Sequence, residues 1–233
     1  MMNRFVWTSV VTASVLATAC GGQKKTAAIP AADGEAGAVP TARTTAKRQI
    51  VFMGTSLTAG LGLEADQAFT ALIAKRIDSL GLNYAVRNAG VSGETSAGAL
   101  RRIPWVLRDT VDVFVLETGA NDGLRGLGVD SMRANITAIL DSVRHAWPHA
   151  ALFLAEMNAP PNLGARYTSA FHEAFVDLSR KNGATLIPFL LNGVAGNASL
   201  NQNDGIHPNV EGERIVADNV WRTLAPALRE GSR

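Results

Sequence analysis

From Arg48 onward, short apolar runs of strand length alternate with longer stretches in which apolar residues recur at helical spacing. A strand that is apolar throughout must be covered on both faces, and helices that connect successive strands do this while leaving the strands parallel. Residues 50–53, 84–88, 111–117, 151–156 and 185–188 read as five such strands. Between them, Phe69, Leu72, Ile73, Ile77 and Leu80 share one helical face, as do Met132, Ile136, Ile139, Leu140 and Val143. Further helices are expected over residues 164–182 and 210–228, with Asp66 and Asp130 as N-caps of the first two and Gly81 as a stop. The expected fold class is α/β, with right-handed crossovers that bring every strand's carboxyl end to one rim. Ligands of open parallel sheets bind on that rim.

The chain has 233 residues, enough for one substantial core. Its 22 basic and 20 acidic residues nearly balance and form no cluster suited to tracking phosphates, so a nucleic-acid partner is not expected. Arg4, the apolar stretch from Phe5 to Leu16 and the small residues Ala17-Thr18-Ala19 together read as an export signal, giving a first segment of residues 1–19. The sole cysteine, Cys20, excludes an intramolecular disulfide and a cysteine metal site. Residues 16–20 resemble a bacterial lipoprotein signal, in which that cysteine carries the lipid. They depart from it in having Ala17 where Leu is usual, and plain cleavage after Ala-x-Ala is the alternative. Residues 20–47, rich in Ala, Gly, Thr and Pro, read as a flexible tether, and residues 48–233 as the folded domain. The expected location is the periplasm or cell envelope, with membrane attachment through the lipid.

The rim is where chemistry is expected. Ser56 follows the first strand, Asn88-Ala89-Gly90 the second, and Gly119-Ala120-Asn121-Asp122 the third. Just before the last helix, Asp204 and His207 stand three residues apart in Asp204-Gly205-Ile206-His207-Pro208. A serine hydroxyl becomes an effective nucleophile when a neutral imidazole takes its proton during attack. A carboxylate on the other ring nitrogen fixes the tautomer and stabilises the imidazolium. The negative oxygen of a tetrahedral intermediate needs donors already in place, for which Ser56 N–H, Gly90 N–H and the Asn121 side-chain amide are the candidates.

These blocks, in this order, resemble the GDSL or SGNH hydrolases, and in particular their bacterial arylesterase, acyl-CoA thioesterase and lysophospholipase branch. The resemblance covers nearly all of residues 48–228, and Gly119 to Gly126 is similar to the thioesterase members specifically. It implies a three-layer α/β/α, flavodoxin-like sheet of five parallel strands. It also implies Ser56, Asp204 and His207 as catalytic residues, an oxyanion hole of Ser56, Gly90 and Asn121, no metal or cofactor, and hydrolysis of small-molecule acyl esters or thioesters through an acyl-enzyme. One departure is visible: Thr55 stands where the family usually has Asp. What that change touches is local, the hydrogen bonding that holds the turn around Ser56.

Each residue also has a plainer reading. Ser56 alone suits a helix cap, Gly90 a positive φ, and Asn121 a loop cap. Asp122 reads as orienting its loop. His145 and His149 have metal-binding spacing, but Pro148 ends the helix between them, and both read as surface residues, as does His172. Trp105, Trp147 and Trp221 read as packing residues, and residues 157–162 as a wall of an acyl pocket. Two other functions fit the same motifs: a carbohydrate O-acetylesterase, and a binding lipoprotein that keeps the fold without turnover.

Overall fold

The structure is a computed structural model that describes residues 46–231. The expected export signal, Cys20 and the tether up to residue 45 lie outside the described residues. Five strands, β1 (Arg48–Gly54), β2 (Tyr84–Gly90), β3 (Val113–Leu116), β4 (Ala151–Ala155) and β5 (Thr185–Ile187), form one parallel sheet in the order β2-β1-β3-β4-β5. Among the described residues, seven α-helices accompany them: α1 (Ser56–Ala59), α2 (Phe69–Ser79), α3 (Ser96–Val106), α4 (Ala120–Leu124), α5 (Val129–Ala146), α6 (Ala165–Lys181) and α7 (Val210–Glu230). Helix α2 packs beside α7, while α5 packs between α3 and α6, making two helical layers around the sheet. The three-layer, flavodoxin-like expectation holds.

The apolar runs that suggested strands are buried because both sheet faces are covered: Ile50, Val51, Phe52 and Met53 of β1 and all four residues of β3 lie in the core. The helices contribute the stripes read from their periodicity. Phe69, Ile73 and Ile77 of α2 and Met132, Ile136, Ile139, Leu140 and Val143 of α5 face the core, and Phe52 meets Phe69 edge to face at 5.7 Å between ring centres. Strand order reverses direction at β1, which lies between β2 and β3. Such a switch point opens a crevice at the carboxyl ends of those strands.

Local punctuation differed from expectation in three places. Asp66 does not cap α2, whose N-cap is Ala68; the orphan Phe69 N–H instead donates to Glu213 Oε2 of α7 at 2.6 Å. Asp130 sits inside the first turn of α5 after the N-cap Gly128, where its charge complements the helix dipole without capping. Helix α3 is not among the helices expected from the sequence, and it carries two residues of poor helix propensity, Gly98 and Pro104. It begins at a Thr95 cap whose side chain accepts from Gly98 N–H. Trp105 on its far end is 59% exposed and does not pack as expected.

Candidate active site

Ser56 opens α1 directly after β1, with Thr55 between strand and helix. Its Oγ lies 2.8 Å from His207 Nε2, and His207 Nδ1 lies 2.6 Å from Asp204 Oδ2. The second carboxylate oxygen, Asp204 Oδ1, accepts from the backbone N–H groups of Ile206 and His207 at 2.9 and 3.0 Å. These bonds make a tight turn from the three-residue spacing and aim the carboxylate at the ring. The His207 backbone and ring donors, with Ile206 N–H, hold the Asp204 carboxyl down at about 2. It is therefore ionised wherever an imidazole is neutral.

The segment that carries His207 is fastened to its surroundings. Asn201 bridges Pro208, Gln202 N–H donates to His207 carbonyl at 2.7 Å, and Gln202 Nε2 donates to the carbonyls of Leu61 and Pro208 at 2.7 and 2.9 Å. The loop after α1 and the loop before α7 are thereby tied together. Asn209 then caps α7 by accepting from Glu211 and Gly212 N–H.

Asn121 lies in α4, just past β3, and its Nδ2 donates to the Glu94 carbonyl at 3.0 Å. An amide nitrogen carries two hydrogens, so one orients the side chain and the other remains for a ligand. Glu94 is itself gripped by Arg102 of α3 at 2.7 and 2.9 Å through Nε, and Arg102 Nη2 also donates to Ala89 carbonyl at 2.8 Å. Asp122 accepts from Ser96 N–H and Oγ at 2.8 and 2.6 Å, joining α4 to α3, the orienting role read from the sequence.

Gly90 requires a correction. Strand β2 runs two residues beyond its expected end and includes Gly90, whose N–H donates to Asn88 Oδ1 at 2.9 Å. A Cβ at Gly90 would overlap the backbone nitrogen of Ala59, so this glycine lets β2 pack against α1 and presents no free donor. Gly93, three residues further in the same motif, is the one that lines the cavity with Ser56 and Asn121. Its φ of +75° is a conformation that favours glycine. Its N–H has no acceptor among the described residues. The strand boundary was the missing information, since a rim placed after Asn88 makes Gly90 the first available glycine.

A cavity of about 830 Å³ opens over Ser56 and His207. Leu57, Leu61, Leu124, Phe189, Leu191 and Ile206 supply much of its apolar wall, and Met157 to Pro161 form another side, where the sequence suggested a pocket wall. Beneath Ser56, Glu117 is a residue that sequence reasoning passed over as a strand end. Its buried carboxylate accepts from Thr55 N–H at 2.7 Å, from Thr55 Oγ1 at 2.9 Å and from Thr58 Oγ1 at 2.9 Å. Burial pushes its carboxyl up, and the Thr55 and Thr58 donors pull it back.

Away from the cavity, His172 Nδ1 meets Glu156 Oε1 at 2.7 Å, and its side chain is more than half exposed. Trp147 donates from Nε1 to Leu107 carbonyl at 3.3 Å, and Trp221 lies under the Arg76 guanidinium.

Residues 52–215 match the GDSL-like Lipase/Acylhydrolase family. The chain belongs to that family. It is 37% identical over 184 residues to "Esterase TesA" of Pseudomonas aeruginosa, which spans 78% of this chain and 90% of that protein. It is 33% identical over 193 residues to "Thioesterase 1/protease 1/lysophospholipase L1" of Escherichia coli, spanning 82% of this chain and 90% of that one. Among solved structures, the psychrotrophic esterase EstA of Pseudoalteromonas, inhibited by monoethylphosphonate, superposes with a TM-score of 0.73 at 34% identity, covering 78% of this chain and all of that one. With these relatives, the GDSL/SGNH hydrolase expectation drawn from the motifs holds.

Proposed function

We propose that this family member is a serine hydrolase of carboxylic esters and thioesters, with Ser56 as nucleophile, His207 as base and then acid, and Asp204 as the group that orients and stabilises His207. The observation that carries the reading is the continuous chain Ser56 Oγ, His207 and Asp204, with contacts of 2.8 and 2.6 Å, whose Ser56 and His207 line a mainly apolar cavity. Ser56 Oγ attacks the acyl carbon while His207 Nε2 takes its proton, and the carbonyl oxygen becomes an oxyanion. The donors proposed to receive it are Ser56 N–H, Gly93 N–H and the free Asn121 Nδ2 hydrogen. Collapse expels the alcohol or thiol, which leaves with the proton from His207, and a water deprotonated by His207 then releases the acid.

The apolar wall supports an acyl chain as the main recognised group, and gives the O-acetylesterase alternative no feature of its own. The intact hydrogen-bonded chain likewise favours turnover over a binding role. Export and attachment through Cys20 complete the proposal and rest on the first twenty residues of the sequence alone. A p-nitrophenyl ester series from acetate to palmitate, run beside acetylated sugars, tests the substrate class. Highest kcat/KM on a chain longer than acetate is the expected result; turnover confined to acetylated sugars would refute it.

A further inference from the structure

We propose that Glu117 is a positioning residue for Ser56, a role that rests on the nucleophile assignment above and that no motif of the sequence announces. Helix α1 has only four residues, too few to hold its own shape, and its N-cap Thr55 makes no side-chain capping bond within the helix. The Thr55 N–H at its start is met from another element. Glu117 follows β3, and its own N–H donates to Met53 carbonyl at 2.8 Å, so its backbone is pinned to the sheet beside β1. From there its carboxylate takes Thr55 N–H and both threonine hydroxyls, on either side of Ser56 in the chain. Glu117, Thr55 and Thr58 are all at most 2% exposed, so these bonds lie away from bulk solvent.

Gly54 shows that the fold is built around this contact. A Cβ there would overlap the Thr58 hydroxyl and lie 2.6 Å from Glu117 Oε2, the space in which hydroxyl and carboxylate meet. The same three residues accommodate the departure at Thr55. A hydroxyl there donates to the Glu117 carboxyl group, whereas an aspartate would set two carboxyl groups at hydrogen-bond distance, where one must stay protonated. The orientation of Ser56 N–H and Oγ thus depends on a carboxylate that touches no substrate.

A misplacement of about 1 Å at a reacting group costs about 10²-fold in rate, which sets the scale of the expected effects. Three variants are compared with wild type by kcat and KM on one p-nitrophenyl ester, by the rate of fluorophosphonate labelling, and by Tm. Thr58→Val keeps volume and removes one donor. Glu117→Gln keeps one acceptor oxygen, and Glu117→Ala removes the cradle. Positioning predicts that kcat and labelling rate fall together, several-fold, about tenfold and about 10²-fold in that order, with KM within twofold of wild type. Should Glu117→Ala fail to fold, the two volume-conserving variants decide. Wild-type kcat and labelling in folded Thr58→Val and Glu117→Gln, with only Tm lowered, would overturn the proposal and leave Glu117 a purely structural group. Absence of labelling in wild type itself would instead refute the serine-hydrolase reading.

Discussion

Glu213 offers a stability prediction that can be worked quantitatively. It lies in the first turn of α7, is 2% exposed, and its carboxylate caps α2 by accepting Phe69 N–H at 2.6 Å. Burial pushes its carboxyl up from 4.5 to about 7, and the Phe69 N–H only partly offsets that. The folded state therefore holds this proton more tightly than the unfolded chain does. Its contribution to stability is complete below about 4.5, declines as pH rises, and is lost by about 7. At 1.36 kcal/mol per pH unit, a shift of this size amounts to about 3 kcal/mol between pH 4 and pH 8.5. Glu213→Gln keeps an oxygen for Phe69 N–H and cannot ionise, but it buries an NH₂ group whose cost is the same at every pH. The informative quantity is thus the change in the variant's stability difference between two pH values, in which other titrating groups cancel. Urea unfolding at pH 5 and pH 8.5 should show the variant gaining about 2–4 kcal/mol relative to wild type on going to the higher pH, or roughly 5–10 °C in Tm. An unchanged difference between the two pH values would refute the argument, showing that Glu213 keeps one protonation state across that range.

Other predictions follow from the cavity floor. Asn121→Ala removes one proposed oxyanion donor and should lower kcat by about 10²–10³ with KM little changed, measured on a p-nitrophenyl ester. Asp204→Asn keeps the turn through its Oδ1 but turns an NH₂ toward His207 Nδ1, favouring the wrong tautomer. Its kcat should fall by about 10⁴ at neutral pH. Because Asp204 is ionised above about 2, this carboxylate should add no limb of its own to the acidic side of the kcat profile above about pH 3. An acidic limb above about pH 3 that is absent from the profile of Asp204→Asn would contradict that.

The legible parts of this molecule are those set by local pattern. Apolar runs at β1 and β3 must be buried on both faces, and the stripes on α2 and α5 must face them, so the layers follow from periodicity. Asp204 and His207 were legible because a short turn joins them, which needs no tertiary information. What escaped depends on partners distant in sequence. The α2 cap comes from Glu213, 144 positions away, and the cradle under Ser56 from Glu117, 62 positions from Thr55. Helix α3 forms with Gly98 and Pro104 inside it because a Thr95 cap and core contacts, which propensity does not count, offset their cost. Gly90 and Gly93 fall on opposite sides of a strand end, and strand ends are set by neighbouring strands as much as by composition.

The central claim is that Ser56, activated by His207, forms the covalent acyl-enzyme. Intact-protein mass spectrometry after treatment with a fluorophosphonate tests it directly. One adduct per chain on wild type, mapped to the peptide containing Ser56, absent in Ser56→Ala and strongly slowed in His207→Ala, is the predicted result. An adduct that persists in Ser56→Ala, or a wild-type protein that hydrolyses esters yet takes no label, would contradict the account.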